Sequence, residues 1–197
     1  MRLDHSVILQ MIETKSRVLD LGCGTGELLA GLEKEKDVRG QGVELNESSI
    51  YQCVEKGVSV FHSDIDSGLS GYPDHSFDYV ILNQSLQEVK NVHQVLAESL
   101  RVGGRVIVGV PNFAHFRARL RLFFRGRTPM TKSLPFDWSD TPNVRFMSLS
   151  DFRTFCRRNR MHIVRQKYLG SRRILHVFPN LLALNGIFML ERGRTTL

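Results

Sequence analysis

The chain has 197 residues, of which 42% are hydrophobic and 24% are charged, and its formal net charge is +7. These values are typical of one globular domain and exclude a disordered chain, a fibre and a coiled coil. The sequence has no run of 18 apolar residues, so we expect no membrane span, and residues 1–10 lack the pattern of a secretory signal. The three scattered cysteines form neither a disulfide framework nor a zinc motif. We therefore expect a cytoplasmic protein without a metal site.

The charge is divided unequally between the two halves of the chain. Residues 1–100 carry 8 basic and 16 acidic side chains, whereas residues 101–197 carry 19 basic and 4 acidic ones. The excess of basic residues in the second half therefore predicts an anionic partner, which could be nucleic acid, a phosphorylated small molecule or an acidic protein surface. The alternative is that the two halves fold against each other and partly neutralise this field.

Short apolar strands alternate with helices along the first 110 residues. We predict a first helix capped by Asp4 and further helices at about 27–34, 47–56 and 92–100. The predicted strands are residues 17–21, 40–45, 58–62, 77–82 and 105–110. This alternation indicates a parallel sheet with helices on both faces. In such sheets the ligand lies beyond the carboxyl ends of the strands, near the switch in strand order.

The second half opens with a basic amphipathic helix, predicted over residues 113–124. Arg117 and Arg121 share one face and Arg125 extends the row. The opposite stripe is predicted to pack on the core and consists of Phe113, Phe116, Leu120, Phe123 and Phe124.

The rest of the chain predicts less regular structure. We expect an ordered loop over residues 126–143, a helix over residues 151–160 capped near Ser150, and two strands at 163–168 and 187–191. Between these strands lies the apolar segment 178–182, which could be a lid or an interface patch.

The glycine-rich loop Gly22–Gly26 follows the first strand and opens a helix. Glycines allow a tight turn and a close approach of the backbone to a ligand. Glu44 ends the next strand, 18 residues after Gly26, where a carboxylate can accept hydrogen bonds from both hydroxyls of a ribose. The loop reads Asp20-Leu-Gly-Cys-Gly-Thr-Gly26 and so differs from the dinucleotide pattern GxGxxG.

Residues 15–112 resemble the class I methyltransferases that bind S-adenosylmethionine. The resemblance is carried by Val18–Gly26, by Gly42-Val-Glu44, by Asp64, by Phe77-Asp-Tyr-Val80 and by Leu100–Arg105. It implies a Rossmann-like α/β fold, in which a mostly parallel seven-stranded sheet has helices on both faces.

The same resemblance implies the cofactor contacts. The glycine loop would contact the methionine part, Glu44 the ribose and Asp64 the adenine amine, with Asp66 as an alternative to Asp64. The cofactor is expected to be S-adenosylmethionine or S-adenosylhomocysteine. The residues expected to bind it are Asp20, Gly22, Cys23, Gly24, Gly26, Glu44, Leu45, Asp64, Ile65 and Asn83. We interpret Cys23 as a small packing residue and not as a nucleophile.

The acceptor side of such a site usually includes the segment after the fourth strand. Here that segment reads Asn83-Gln-Ser-Leu-Gln-Glu88, which lacks the Asn-Pro-Pro-aromatic signature and a histidine. Asn83, Gln84 and Gln87 can bind a polar ligand, but Glu88 is the one candidate base in this segment. No catalytic residue is therefore assigned.

Nearly the whole chain, to about residue 192, is similar to the MetW family. The similarity is carried by Pro111–Phe116, Arg119–Arg127, Pro129–Pro135, Asp140–Asn143 and Asn83–Gln87. It implies a role in bacterial methionine biosynthesis, a methyltransferase-like fold and support of a homoserine O-acyltransferase, MetX.

Two functional hypotheses follow for a single domain of residues 1–197 with a basic insertion around 112–150 on the cofactor and partner side. In the first, the protein binds the cofactor and docks on MetX through Arg117, Arg119, Arg121, Arg125 and Arg127. In the second, it methylates a small anionic metabolite held by Arg119, Arg125 or Lys132. We expect no membrane contact. We favour a protein over nucleic acid, because no RNA-binding motif is present and the aromatic residues are expected to pack inward.

Overall fold

The computed structural model describes residues 2–131 and 134–193. The strands are β1 (Arg17–Leu21), β2 (Arg39–Glu44), β3 (Val60–His62), β4 (Phe77–Asn83), β5 (Gly103–Pro111), β6 (Met161–Leu169), β7 (Ile174–Leu175) and β8 (Asn185–Arg192). The helices are α1 (Leu3–Met11), α2 (Glu27–Lys36), α3 (Glu47–Glu55), α4 (Val92–Val102), α5 (Phe116–Arg125), α6 (Leu149–Arg158) and α7 (Pro179–Leu182).

The strands form one sheet in the order β3-β2-β1-β4-β5-β8-β6-β7. The first five strands in this order are parallel, and β8 runs antiparallel between β5 and β6. The predicted α/β fold with a mostly parallel sheet is thus confirmed. The sheet has an eighth strand in addition to the predicted seven, because Ile174 and Leu175 pair with the end of β6. A two-residue strand is too short to leave an alternating pattern in the sequence.

Helices cover both faces of the sheet, and each face has its own apolar core. On one face, α1 and α2 and the buried Cys53 of α3 pack against strand residues such as Ile81 and Ile107. On the other face, α4 and α6 pack against residues such as Val80 and Val108. The central strands are buried on both sides, which explains why β4 and β5 are apolar throughout most of their length.

The switch in strand order lies between β1 and β4. The chain after β1 continues into α2 on one face, whereas the chain after β4 continues into α4 on the other face. In doubly wound sheets, ligands bind at such a switch, outside the carboxyl ends of the two strands.

Two helix caps differ from the sequence predictions. Asp4 lies inside α1, whose N-cap is Arg2, and its buried carboxylate accepts a hydrogen bond from Asn83 Nδ2 at 3.0 Å. A carboxylate in the first helical turn still interacts favourably with the helix dipole. The cap of α6 is Ser148 and not Ser150, because Ser148 and Asp151 form a reciprocal capping box.

The prediction that the apolar stripe of α5 packs inward is wrong for three of its five residues, whereas Phe113 and Phe116 are half-buried. The helix begins at Phe116, and Ala118 is its one buried residue. Leu120, Phe123 and Phe124 are exposed. The helix is held near its start, where His115 Nδ1 accepts a hydrogen bond from the backbone of Arg117 at 3.3 Å. An amphipathic pattern specifies which side chains share a face, but it does not specify that another element covers that face.

No helix in the described ranges combines the length and the apolar character needed to cross a membrane. Lys132, which the second hypothesis names, lies outside the described residues.

Candidate cofactor site

The glycine loop turns directly at the end of β1. The backbone amides of Gly22 and Cys23 donate hydrogen bonds to the carbonyl of Val43 on β2, at 2.8 and 3.2 Å. Gly22, Gly24 and Gly26 have φ values of 76°, 55° and 74°. These left-handed conformations explain the three glycines, because other residues are strained there.

The surroundings of Gly22 and Gly24 differ in a way that indicates where a ligand fits. A Cβ atom at Gly22 would lie 2.7 Å from Cβ of Ser85, whose hydroxyl donates to the carbonyl of Leu21 at 2.7 Å. A Cβ atom at Gly24 would meet nothing within 4 Å. The loop is therefore packed on the β4 side and open at its tip.

Glu44 is held by backbone amides at the end of β2. Its Oε2 accepts a hydrogen bond from the Gly24 amide at 2.8 Å, and its Oε1 accepts from Leu45 and Asn46, both at 2.9 Å. Each carboxylate oxygen can accept further hydrogen bonds. The arrangement therefore orients Glu44 and leaves acceptor capacity for the hydroxyls of a ligand.

Asp20 is the most perturbed carboxyl group of the site. It is 2% exposed, and its Oδ1 has no hydrogen-bond partner in the part of the chain that the structure describes. Complete burial and the negative charge of Glu44 raise its pKa to about 7. A positively charged or hydrogen-donating ligand group would satisfy this oxygen and stabilise the ionised form.

The two acidic candidates for the adenine contact have different surroundings. Both oxygens of Asp66 accept hydrogen bonds from the backbone of Lys90 and one of them also accepts from Asn91, at 3.0 to 3.1 Å, so Asp66 holds the entry to α4. Asp64 is exposed, and its Oδ1 accepts one hydrogen bond from the backbone of Asp66. Asp64 thus has more remaining capacity than Asp66 to accept hydrogen bonds from a ligand. Ile65 lies between them, and its Cδ1 would be 3.3 Å from a Cβ at Gly22.

Cys23 packs inside the sheet edge. Its Sγ would lie 2.5 Å from a Cβ at Gly42 and is 3.9 Å from Sγ of Cys53. Burial, followed by the charge of Asp20, raises its pKa far above the ordinary thiol range. The side chain is therefore a thiol at neutral pH and is not an activated nucleophile.

Asn83 connects this edge to the start of the chain. Its Nδ2 donates to Asp4, while its buried Oδ1 has no partner. His5, next to Asp4, is also buried, and burial lowers its pKa. Sequence reasoning missed Asp4 and His5 as site residues, because 79 residues separate Asp4 from Asn83 and no motif links them.

Carboxamide groups line the acceptor side. Gln84 has a φ of 62°, which is strained for a residue other than glycine. Its Nε2 and the Oε1 of Gln87 are buried without a partner. Glu88 follows them, and burial together with Glu44 raises its pKa. The buried polar atoms without a partner at this edge are Asp20 Oδ1, Asn83 Oδ1, Gln84 Nε2, Gln87 Oε1 and Asn185 Oδ1. Unsatisfied groups are costly in a folded protein, so their concentration here indicates a site for a polar ligand.

The segment before α6 is tied to the same edge. The backbone amides of Val144 and Arg145 both donate to the carbonyl of Gln87 at 3.0 Å. Phe146 packs on Phe113 with ring centroids 5.1 Å apart. Part of the basic insertion thus lies beside the acceptor segment.

The arginines of the predicted docking face have different partners. Arg117 lies over the ring of Phe116, and Arg119 Nε donates to the carbonyl of Ala114 at 2.6 Å. Arg121 Nε is buried without a partner. Within the described residues, none of the arginines at 117, 119, 121, 125 and 127 forms an ion pair.

The described residues also contain no group of three or more His, Cys, Asp or Glu side chains arranged to hold a metal ion.

The fold is that of the class I S-adenosylmethionine-dependent methyltransferases. A methyltransferase structure from Thermotoga maritima, described as a possible histamine N-methyltransferase, matches 97% of this chain and 88% of its own with a TM-score of 0.68 and 17% identity. The cyclase SpnF matches 96% of this chain and 80% of its own, also with a TM-score of 0.68 and with 16% identity. These likenesses establish the fold, and the fold alone does not decide the reaction.

The chain belongs to the MetW family. The family model "Methionine biosynthesis protein MetW" matches residues 2–190. The chain is also 39% identical over 162 residues to the "Bifunctional methionine biosynthesis protein MetXA/MetW" of Rhodopirellula baltica. That match covers 78% of this chain but only 26% of the relative, so this chain corresponds to about a quarter of the larger protein.

Proposed function

We propose that this protein binds S-adenosylmethionine or S-adenosylhomocysteine at the carboxyl edge of β1, β2 and β4 and supports a homoserine O-acyltransferase of the MetX type. The observation that carries the cofactor part is the buried Oδ1 of Asp20, which has no hydrogen-bond partner among the described residues and lies beside the open glycine loop. The observation that supports the partner part is the relative whose name joins MetXA and MetW in one protein. The reducing cytoplasm is the proposed compartment for this partnership.

Different residues of this edge would bind different parts of the proposed cofactor. Glu44 would accept the ribose hydroxyls with the capacity that its backbone bonds leave free. Asp64 would accept the adenine amine, and Leu45 and Ile65 would border the adenosine. When bound, S-adenosylmethionine supplies a positively charged sulfonium with a transferable methyl group.

Charge at the edge favours a cationic ligand. Asp20 and Glu44 interact strongly enough for Glu44 to help raise the pKa of Asp20, and Glu44 also raises that of Glu88. A sulfonium or ammonium group near these carboxyls would relieve their mutual repulsion. The same charges oppose an anionic metabolite, which weakens the second hypothesis of methyl transfer to such a molecule.

Methyl transfer to a polar acceptor is nevertheless the second candidate function. It is favoured by the strained Gln84 and by the unpartnered amide atoms of Asn83 and Gln87, which could orient a small polar molecule. Glu88 would be the base, because its raised pKa makes it a better proton acceptor than an ordinary carboxylate. Of the arginines proposed to hold an anionic acceptor, Arg119 is already bonded to Ala114.

Calorimetric titration with S-adenosylmethionine, with and without the purified homoserine O-acyltransferase, tests the proposal. We expect binding by this chain alone and tighter binding with the partner present; the cofactor should then strengthen partner binding by the same factor, because coupling of two sites is reciprocal. Absence of cofactor binding in both titrations would refute the cofactor part. The second function would instead be favoured if the protein transfers labelled methyl groups to a metabolite extract. This transfer should be lost in Glu88→Gln and kept in Glu98→Gln.

A further inference from the structure

The apolar side of α5 has no covering element in the described structure. Phe123 is 82% exposed and Phe124 is 74% exposed, and Leu120 and Leu122 are also exposed. The two phenyl rings pack edge to face at 5.0 Å, which preorganises them while leaving most of their surface in contact with solvent. Contiguous apolar surface of this kind marks an interaction site on a folded protein.

A second exposed apolar segment lies beside the start of α5. Asn112, just before α5, is fully buried and donates through Nδ2 to the carbonyls of Asn180 and Ala183, which bind it to α7. Phe178, the N-cap of α7, is 70% exposed and has a φ of 44°. A bulky residue held in this strained conformation and facing solvent is typical of a functional position. The two segments are linked through Asn112, and we refer to their exposed apolar side chains as the α5–α7 surface, which consists of Leu120, Phe123, Phe124, Phe178, Leu181 and Leu182.

Arginines border this surface. Arg117, Arg121 and Arg125 form a row along α5, and within the described residues none of them is paired with an acidic side chain. Arg121 Nε is buried and has no hydrogen-bond partner among the residues with described positions. Among residues 2–131 and 134–193, nothing therefore covers the apolar side of this surface or supplies carboxylates to its guanidinium groups. Aromatic residues and arginine are the residue types enriched at the energetic centres of protein interfaces.

The charge of the surface selects its occupant. A second copy of this chain would bring two arginine rows together, which costs energy through like-charge repulsion. A complementary protein would present an apolar recess bordered by carboxylates. We infer that the α5–α7 surface is the contact surface for the homoserine O-acyltransferase, with Phe123 and Phe124 as anchors and the arginines as a charged rim. This inference rests on the proposed partnership.

Affinity measurements with purified acyltransferase test the inference. The variant Phe123→Ser/Phe124→Ser removes the anchors, and Tyr51→Ser/Val54→Ser on α3 is the matched control, because these side chains are 69% and 63% exposed. We expect the first variant to lose about 30-fold or more in affinity and the control to stay within about twofold. Unchanged cofactor affinity and thermal transition in both variants would establish that they fold.

The rim is tested by Arg121→Glu/Arg125→Glu. This variant should bind at least about tenfold more weakly, with a smaller dependence of affinity on salt than the unmodified chain. Arg153→Glu/Arg157→Glu on α6 changes the charge equally and should have a smaller effect.

Each outcome separates this inference from the proposed function. If the unmodified chain binds the acyltransferase and the phenylalanine variant binds equally well, the inference is wrong and the partnership stands. If the unmodified chain does not bind, the partnership itself is wrong, and the inference fails with it. The phenylalanine variant could instead retain acyltransferase binding and lose self-association, RNA binding or binding to anionic vesicles. The surface would then belong to that other occupant.

Discussion

Asp20, one residue before the end of β1, and Glu44, at the end of β2, lie on neighbouring strands beside the glycine loop, and the pKa of Asp20 is about 7 because it is buried and faces the charge of Glu44. The Gly24 amide donates to Glu44 at 2.8 Å, whereas Oδ1 of Asp20 has no partner. Glu44 thus has backbone donors that orient it, whereas Oδ1 of Asp20 has none among the described residues. This difference makes Asp20 the group through which cofactor binding should respond to pH.

Cofactor affinity should rise with pH through the pKa of Asp20. A cationic ligand stabilises the ionised carboxylate, which is a minor species one unit below a pKa of about 7. We expect binding to be about tenfold weaker at pH 6 than at pH 8. Calorimetry across this range checks the expectation, with S-adenosylhomocysteine as a ligand that lacks the sulfonium charge. Asp20→Asn should bind more weakly and lose most of this pH dependence; a wild-type affinity that is the same at both pH values would contradict the assignment.

The same carboxyl should make the ligand-free protein less stable as pH rises. The pKa of Asp20 is 3.8 in the unfolded reference and about 7 when folded, so between these values the folded state binds more protons. Stability therefore falls as pH rises from about 4 to about 7. Asp20→Asn removes this effect and should be more stable than the wild type by on the order of 2–4 kcal/mol at pH 8. Urea unfolding at pH 4 and pH 8 measures the difference, which should nearly vanish at pH 4.

Loss of the Glu44 carboxylate should weaken cofactor binding strongly. Glu44→Ala removes the proposed ribose acceptor and the bond that orients Gly24. Charged hydrogen bonds of this kind contribute about 1.5–3 kcal/mol each, so we expect a loss of roughly 10- to 100-fold in affinity. Glu47→Ala, three residues away and exposed, is the control for the loss of a negative charge. Equal affinities of the two variants would exclude Glu44 from the site.

Alanine at Gly22 should combine backbone strain with a collision. Gly22 and Gly57 both have a φ of 76°, but a Cβ atom at Gly22 would be 2.7 Å from Cβ of Ser85, whereas at Gly57 it would meet nothing within 4 Å. Gly57→Ala should cost about 1–3 kcal/mol of stability through strain. Gly22→Ala should cost more and should also weaken cofactor binding. Denaturant unfolding of both variants separates the two contributions, and equal losses would mean that Ser85 moves aside without cost.

Several elements were predictable from local sequence because their signals are local. The strands β1, β4 and β5 were identified to within two residues, since central parallel strands are continuous apolar runs bounded by turn residues. The glycine loop and Glu44 were recognisable because each directly follows a strand. Their arrangement at one edge follows from the parallel sheet. The cofactor roles of these residues stay predictions.

Contacts between distant parts of the chain were not predictable in this way. The bond between Asp4 and Asn83 depends on how α1 crosses the sheet, and nothing near Asp4 in the sequence indicates it. Likewise, the sequence leaves Asp66 as an alternative to Asp64, and only the structure shows that Asp66 accepts hydrogen bonds from the amides of Lys90 and Asn91. A local sequence pattern can indicate where a residue lies in a helix or strand. The hydrogen-bond partners of that residue depend on how separate helices and strands pack together.

The sequence by itself determined the α/β fold, the glycine loop with its acidic neighbours, the MetW family and the basic second half. The fold, the glycine loop and the basic half depend on periodicity, residue spacing and composition, which are properties of consecutive residues, whereas the family rests on similarity to MetW sequences. The tertiary structure decided that α5 exposes Phe123 and Phe124, although their spacing fits a buried stripe equally well. It also decided that Asp20 is buried beside Glu44 without a partner. Burial and charge proximity depend on which elements pack together, so only the folded chain reveals them.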